Sequence, residues 1–347
     1  MRRMKKVLLG ILALLVLLVL GAITAVGWQV VLGPDARAVT NRTFERTDAR
    51  LARGQYLVEN VAACFHCHSE PDLTDPAGVI KAGMKGAGWE MPVPELGKIV
   101  APNITPDRET GIGTWTDDEI ARAIQEGINK QGKPLFPLMP YMNFRELDDE
   151  DLASIVVYLK TIPAVSMRRQ RSELITPLNV LVKTMPKPLP AHAPKPAPAR
   201  TTSQARGEYL VKTVAGCQDC HTPSDDKGQP LPGLDFGGGF LLHDPADHMK
   251  PIFTLNITHD PSGIAHYDEA LFVQTFKTGL IGSHRINPIM PILNFRGMEE
   301  GDLRDMYAYL AALPPVKHRI TNTDPPAKCA VCGQVHGLGE LNAAKAK

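Results

Sequence analysis

Residues 52–68 read ARGQYLVENVAACFHCH, and residues 205–221 read ARGEYLVKTVAGCQDCH. The two segments lie 153 positions apart, and 11 of their 17 positions are identical. Each segment holds two Cys separated by two residues and followed at once by His. A likeness this dense at one fixed offset indicates an internal duplication.

Two further pairs of segments extend the duplication. Asn-Ile-Thr occurs at residues 103–105 and again at 256–258, and MPxxNFRxxxxxDLxxxxxYL occurs at 139–159 and again at 290–310. The order is the same in both halves and the offsets stay between 151 and 153 residues. We therefore predict two tandem copies of one domain.

Helical patterns dominate each copy. Apolar and small residues recur at helical spacing before the first Cys pair, and Thr116 with Glu119 forms a capping-box pattern that predicts a helix through about Gly127. The acidic run 148–151 places negative charge at the start of another helix. Since no alternating strand pattern of useful length occurs, the predicted fold class is mainly α.

The pattern Cys-x-x-Cys-His is the covalent attachment pattern of c-type haem. Two thiols three positions apart on a helical turn can bond the two vinyl groups of one porphyrin, and the adjacent His presents its ring to the iron. We predict two covalently bound haem c groups, with a local disulfide or a redox thiol pair as the alternatives. The predicted attachment and iron-ligand residues are Cys64, Cys67 and His68, and Cys217, Cys220 and His221.

The sixth iron ligand is predicted from the repeat. Met139 and Met290 occupy equivalent positions in Pro-flanked loops, 75 and 73 residues after the first Cys of their own motif. A thioether opposite His gives a six-coordinate iron with a raised potential. Met142 and Met298 have no equivalents, so the alternative role of methionine, packing in the core, is assigned to them.

Composition and charge bear on the cellular setting. The chain of 347 residues has 38 basic and 37 acidic residues, and four of the basic ones precede residue 7, so a nucleic-acid partner is not expected. Residues 7–33 carry no charge, which predicts an uncleaved transmembrane helix, with a cleaved signal peptide as the alternative. The predicted localisation is the cytoplasmic (inner) membrane, with the haem domains in the periplasm.

The predicted organisation has five parts. They are a membrane anchor (1–34), a first cytochrome c domain (48–165), a Pro-rich linker (166–200), a second cytochrome c domain (201–317) and a tail (318–347). In the linker, residues 176–185 are more apolar than a free tether requires, so they are expected to lie on one domain.

The motifs GxYL, NITPDxETGIGxW, MPYxxF and DLxxxxxYL resemble those of the cytochrome c subunits of membrane-bound alcohol, aldehyde and gluconate dehydrogenases and of related dihaem cytochromes. The resemblance covers about residues 52–315. It implies class I cytochrome c domains, each wrapped around one covalent haem, with His68–Met139 and His221–Met290 as axial pairs. The dehydrogenase subunits typically carry a third haem, whereas here the third Cys-x-x-Cys is followed by Gly333.

The expected function is transfer of single electrons, as a carrier and not as an enzyme. The expected partners are the membrane, a dehydrogenase or respiratory-complex donor and a downstream redox acceptor. Alternatives are an enzyme like the dihaem cytochrome c peroxidases, which would need an iron that can open, and a haem-based sensor.

The tail keeps several interpretations open. Cys329 and Cys332 are compatible with a local disulfide, a degenerate haem site or a free redox pair. With His336 they offer three metal ligands, but the sequence does not identify a fourth.

Overall fold

The computed structural model describes residues 2–75, 77–91, 93–190, 199–225, 228–244, 247 and 249–342. Eight residues of the predicted linker, 191–198, and the last five of the predicted tail, 343–347, lie outside the described residues. Helices make up 38% of the structure, which confirms the prediction of a helix-rich chain.

The helices of the two repeats fall into the same order. The α-helices of the described residues are α1 (Arg2–Val26), α2 (Gln29–Leu32), α3 (Asp48–Tyr56), α4 (Cys64–Cys67), α5 (Asp117–Glu126), α6 (Tyr141–Phe144), α7 (Asp149–Leu159), α8 (Leu178–Leu181), α9 (Ser203–Glu208), α10 (Cys217–His221), α11 (Glu269–Thr278), α12 (Ile292–Phe295) and α13 (Glu300–Ala311). Single π-helical turns follow α3 (Leu57–Val61) and α9 (Tyr209–Val214). Short 3₁₀ turns cover Pro94–Leu96, Val182–Thr184 and Gly339–Asn342.

Short antiparallel strands, which the sequence patterns did not predict, lie in the loops and the tail. They are β1 (Trp89–Met91), β2 (Gly97–Ala101), β3 (Glu173–Leu174), β4 (Leu241–His243), β5 (Pro251–Phe253), β6 (Leu280–Ile281), β7 (His284–Arg285), β8 (Thr321–Lys328) and β9 (Val335–Gly337). The pairs are β1 with β2, β2 with β3, β4 with β5, β6 with β7 and β8 with β9. Because β3 belongs to residues 166–190, this part of the predicted linker lies against the first half of the chain.

The membrane anchor predicted for residues 1–34 is contradicted by the structure. Helix α1 ends at Val26, because Gly27 has a φ of 93° that leaves the helical region, and the chain restarts as α2. The uncharged run therefore does not form one continuous helix. Within the described residues no helix is both long and apolar enough to cross a bilayer. The predicted single transmembrane helix, and with it the inner-membrane and periplasmic localisation, is wrong.

The capping box predicted from the sequence is confirmed. The Thr116 hydroxyl accepts a hydrogen bond from Glu119 N, and the Glu119 carboxylate accepts one from Thr116 N. At the other end, Gly127 adopts the left-handed conformation that commonly closes a helix. These local interactions fix the two ends of α5.

In each repeat the first helix packs against the last helix. Helix α3 lies against α7 and α9 lies against α13. A glycine permits each crossing: a Cβ at Gly54 would stand 2.0 Å from the Ser154 carbonyl oxygen, and a Cβ at Gly207 would stand 1.9 Å from that of Asp305. The first and second repeats, residues 48–165 and 201–317, thus share one packing scheme.

The repeats contact each other through reciprocal hydrogen bonds. The Tyr56 hydroxyl donates to Asp302 in the second repeat at 2.6 Å, and its counterpart Tyr209 donates to Asp151 in the first repeat at 2.8 Å. Buried apolar residues of both repeats form one continuous core. The contact between the repeats therefore has approximate twofold character.

Candidate functional site

The first Cys-x-x-Cys-His motif is placed by an abrupt change in the direction of the chain. Helix α3 runs into the π-helical turn Leu57–Val61, and Ala63 then takes a left-handed φ of 48° before α4 begins at Cys64. Because α4 is a single helical turn, it presents both thiols of the motif beside His68. The left-handed residue Ala63 thus separates α4, which carries the motif, from α3 and its π-helical turn.

The second motif is built in the same way. The π-helical turn Tyr209–Val214 precedes Gly216, whose φ is 62°, and α10 carries Cys217, Cys220 and His221. Glycine adopts this left-handed conformation without the steric cost that Ala63 bears at the matching position.

The motif histidines are oriented by main-chain carbonyl groups. His68 Nδ1 lies 2.9 Å from the carbonyl oxygen of Pro102, and His221 Nδ1 lies 2.8 Å from that of Leu255. A carbonyl only accepts hydrogen bonds, so Nδ1 carries the proton and Nε2 keeps its lone pair. Burial lowers the pKa of both imidazoles, which favours the neutral form. Each ring therefore offers Nε2 as a ligand atom.

The four motif thiols are free and neutral. Burial raises the pKa of Cys64 and of Cys217 to about 12 and that of Cys67 to about 11, whereas Cys220 is exposed to solvent. Such thiols are poor nucleophiles at neutral pH. Burial therefore disfavours the thiolate form at Cys64, Cys67 and Cys217.

Met139 and Met290 occupy matching loops. Met139 N donates to Phe136 O at 3.0 Å, Met290 N donates to Asn287 O at 3.1 Å, and each loop leads into a four-residue helix, α6 or α12. Both side chains are partly buried against the apolar core, as are Cys64 and Cys217. Met142 is 49% exposed, whereas Met298 is fully buried in the core.

The residues present fit a covalently attached haem. Each repeat offers two free thiols, an imidazole whose Nε2 is unprotonated and a thioether on the same core. In the first repeat, three buried donors have no hydrogen-bond partner among the described residues, namely Trp89 Nε1, Arg122 Nε and Tyr141 Oη. A bound group that carries acceptor atoms would satisfy donors of this kind.

The two motifs lie close to the interface between the repeats. Asn143, in the Met139 loop region, donates to the Asp219 carboxylate of the second motif at 2.6 Å. Its counterpart Asn294 donates to Glu59 O, just before the first motif, at 2.7 Å. Cys67 also contributes to the raised pKa of Cys220, after burial and Asp219. Each motif therefore faces the other repeat.

Comparison with known proteins identifies the first repeat. The cytochrome c family profile matches residues 51–163. Residues 51–163 form a cytochrome c domain. A cytochrome c domain binds haem c covalently, so its predicted cofactor is confirmed in kind.

The cytochrome c domain also has similar relatives of known name. The chain is 32% identical to a gluconate 2-dehydrogenase cytochrome c subunit of Pantoea cypripedii, over 52% of this chain and 39% of that protein. It is 28% identical to an alcohol dehydrogenase (quinone) cytochrome c subunit of Gluconobacter oxydans, over 84% of this chain and 61% of that protein. It is 28% identical to a dihaem cytochrome c-type protein of Cereibacter sphaeroides, over 48% of this chain and 55% of that protein.

These relatives confirm the resemblance drawn from the motifs, apart from membrane anchoring. The chain spans 39–61% of the lengths of the relatives named above. Their names describe cytochrome c subunits of dehydrogenases and a dihaem cytochrome, which indicates electron transfer as the coarse function of this cytochrome c domain.

Sequence analysis did not identify the carbonyl groups that contact the motif histidines, the role of the Asn-Ile-Thr segment or the interface tyrosines. The one signal for the carbonyl groups of Pro102 and Leu255 was that each residue directly precedes the repeated Asn-Ile-Thr segment. Asn103 Nδ2 donates to Val165 O at 2.8 Å, so this segment holds its loop to the chain beyond α7. The interface tyrosines Tyr56 and Tyr209 belong to the repeated GxYL pattern, but this pattern did not predict their hydrogen bonds to carboxylates of the other repeat.

Proposed function

We propose that the second repeat is a second cytochrome c domain and that the chain is a dihaem electron-transfer protein. The observation that carries this proposal is the match between the two motifs: each has a π-helical turn, a left-handed residue at the matching position and a carbonyl contact to His Nδ1. A dihaem relative in Cereibacter sphaeroides supports the same count.

In this proposal the chain's residues hold two haem groups in fixed orientations. Cys64 with Cys67, and Cys217 with Cys220, form the thioether bonds. His68 and His221 bind through Nε2, since their Nδ1 atoms are committed to carbonyl groups. Met139 and Met290 would each supply the remaining iron ligand in their own repeat. When bound, haem c supplies an iron that exchanges one electron.

The interface supports transfer within the chain. Asn143 and Asn294 each connect one repeat's methionine loop with the region of the other repeat's motif. Because these contacts are reciprocal, they keep the two binding regions adjacent and at one mutual orientation. We infer that an electron entering one repeat passes to the other without dissociation of a partner.

The donor is proposed from the relatives' names. The alcohol dehydrogenase cytochrome c subunit is similar to 84% of the chain, and the gluconate 2-dehydrogenase cytochrome c subunit is similar to 52% of it. We infer that a dehydrogenase delivers single electrons to this protein and that a further redox protein accepts them. Beyond residue 6 the chain has 34 basic and 37 acidic residues, so a partner with a basic docking face is favoured.

Counting haem groups tests the proposal. We expect two haem c groups per chain in the full-length protein, quantified as pyridine haemochromes. Replacing both cysteines of the second motif (Cys217→Ala with Cys220→Ala) should leave one. The control Met142→Leu alters a methionine that is 49% exposed and should leave two. A wild-type chain with a single haem would refute the proposal.

Ligand binding tests the methionine assignment within the proposal. Two methionine-capped irons should show little change in their reduced spectra on adding carbon monoxide, because neither has an open position. Ready binding at either iron, or turnover of hydrogen peroxide, would contradict electron transfer as the chain's function.

A further inference from the structure

Four potential metal ligands converge in the tail. Cys329, Cys332, His318 and His336 offer one atom each, and these four atoms all lie within 4.8 Å of one another. The side chains are at most 6% exposed. The sequence had identified three of them; His318 is the fourth, and it precedes the β8–β9 hairpin that carries the other three.

The spacing of these atoms matches a single tetrahedral ion. Zn²⁺ binds sulfur at about 2.3 Å and imidazole nitrogen at about 2.0–2.1 Å, so neighbouring ligand atoms stand roughly 3.3–3.8 Å apart. Cys329 Sγ lies 3.5 Å from His318 Nε2, and Cys332 Sγ lies 3.4 Å from His336 Nε2. Two edges of the tetrahedron thus already have the required length.

Hydrogen bonds to main-chain carbonyl groups orient the rings of His318 and His336 towards the four ligand atoms. His318 Nδ1 lies 2.9 Å from Gly237 O, and His336 Nδ1 lies 3.0 Å from Gly337 O. As with other metal-binding histidines, a carbonyl contact at one ring nitrogen leaves the second nitrogen to face the ion.

The turn between the cysteines has the shape that thiolate ligands need. Gly333 adopts a φ of 75° and its N–H donates to Cys329 O at 3.0 Å, which folds the two Sγ atoms to one side. Val331 N lies 3.4 Å from Cys329 Sγ, a contact that stabilises negative charge on sulfur.

Other arrangements fit these contacts less well. A disulfide would bring the two sulfurs to about 2.05 Å, whereas Cys329 and Cys332 are both free thiols. Two separate thiol–imidazole hydrogen bonds would not require all four atoms to converge. A two-iron cluster would place the histidines on one iron and the cysteines on the other, whereas here each sulfur contacts a ring nitrogen.

We propose that His318, Cys329, Cys332 and His336 bind one structural Zn²⁺. Two thiolates neutralise the charge of the ion, so its burial leaves no net charge uncompensated. All four positions are occupied by protein atoms, which is typical of structural and not catalytic zinc. This site is independent of the proposed haem ligands.

The zinc site joins the tail to the loop that supports the second motif. His318 contacts Gly237 O, and the next residue, Gly238, donates from its N–H to His221 O at 2.8 Å. In the first repeat Met167 stands where His318 stands in the second, and Ala87 O, the counterpart of Gly237 O, accepts from Arg169 at 3.1 Å. The second repeat thus replaces an arginine contact with a metal-bound ring.

Metal analysis of the full-length, haem-containing protein tests the proposal. We expect one zinc per chain that survives dialysis, and a Zn K-edge absorption spectrum fitted by two sulfurs at about 2.3 Å and two nitrogens at about 2.0–2.1 Å. His318→Ala should weaken zinc binding by more than the roughly 10–100-fold caused by loss of an outer contact. The control His284→Ala alters an exposed histidine and should leave the zinc content unchanged.

The same measurements define what would overturn the site. Zinc retained at full affinity in the Cys329→Ser/Cys332→Ser variant would place the metal elsewhere. A wild-type protein that fails to take up Zn²⁺ after reduction would refute the site, whether or not it was isolated with a Cys329–Cys332 disulfide. If the variants do not fold, the Zn absorption spectrum of the wild-type protein still tests the site. A zinc ion with no sulfur ligand would contradict the proposal.

Discussion

The hydroxyl of Tyr56 in the first repeat donates a hydrogen bond of 2.6 Å to Asp302 in the second. The equivalent contact in the opposite direction joins Tyr209 to Asp151 at 2.8 Å. Burial, helped by the neighbouring carboxylates, raises the pKa of both phenols, so they remain donors across the physiological range. One sequence duplication has therefore produced an interface in which each repeat uses the same tyrosine to bind the same acidic helix of the other.

Removing either hydroxyl should weaken this interface. Among the described residues, Tyr209→Phe leaves the buried Asp151 with Arg53 as its hydrogen-bond partner and should lower the free energy of unfolding by about 1.5–3 kcal/mol. Tyr56→Phe should act in the same direction. The control Tyr307→Phe loses a hydrogen bond within the second repeat and should cost about 0.5–1.5 kcal/mol. Urea titration measures all three; equal stability of Tyr209→Phe and wild type would show that the contact is not stabilising.

A methyl group at the helix crossing should be more damaging. In Gly54→Ala the new Cβ would meet the backbone of Ser154, which cannot rotate away, so we expect at least the roughly 1–3 kcal/mol typical of overpacking. Gly301→Ala is the control: Gly301 lies in α13 with open space around it, and alanine there should stabilise by about 0.5–1 kcal/mol. Thermal unfolding of both variants checks the opposite signs; a neutral Gly54→Ala would mean that α3 and α7 can separate.

Local patterns in the sequence predicted the local parts of the structure. The helix after Thr116 was predictable because its capping box involves residues three positions apart. The Cys-x-x-Cys-His motifs were likewise recognisable, since their chemistry depends on spacing within five residues.

Features that depend on distant residues were not predictable in this way. Pro102 O contacts a histidine 34 positions away through its main chain, so no side chain marked it. His318 approaches the tail cysteines through an irregularity in β8, where Thr321 and Pro326 both pair with Gly337 of β9. The anchor prediction counted uncharged residues in the sequence, whereas no helix of the described residues is both long and apolar enough to cross a bilayer.

The N-terminal segment should detach from α5 when its buried ion pair is lost. Arg37 contacts Asp118 at 2.7 Å and Glu126 at 2.6 Å, and both carboxylate side chains are 1% exposed. Arg37→Gln leaves two buried carboxylates without this partner and should cost about 3–5 kcal/mol at neutral pH. The control Arg50→Gln breaks a pair whose Glu150 is 64% exposed and should cost only about 0–1 kcal/mol.

The same ion pair predicts a dependence on pH. Burial opposes ionisation of Asp118, but hydrogen bonds and charge from Arg37 outweigh it and hold the pKa of Asp118 below its ordinary value. The stabilisation is therefore present above the unfolded pKa of about 3.9 and is lost as pH falls through the folded value. Urea unfolding should show the gap between wild type and Arg37→Gln narrowing in acid; a constant gap would exclude Asp118 as the cause.

Exchanging the proposed axial methionines should change the haem potentials one at a time. Met139→His replaces a thioether by a stronger donor, and since axial ligands set haem potentials over about 0.8 V, we expect one potential to fall by on the order of 0.1 V or more. The haem should stay attached, because Cys64 and Cys67 are unchanged. Met290→His should lower the other potential, and Met142→Leu, at a side chain 49% exposed, should alter neither. Spectroelectrochemical titration resolves the two; an unshifted potential in Met139→His would mean that another residue binds the first iron.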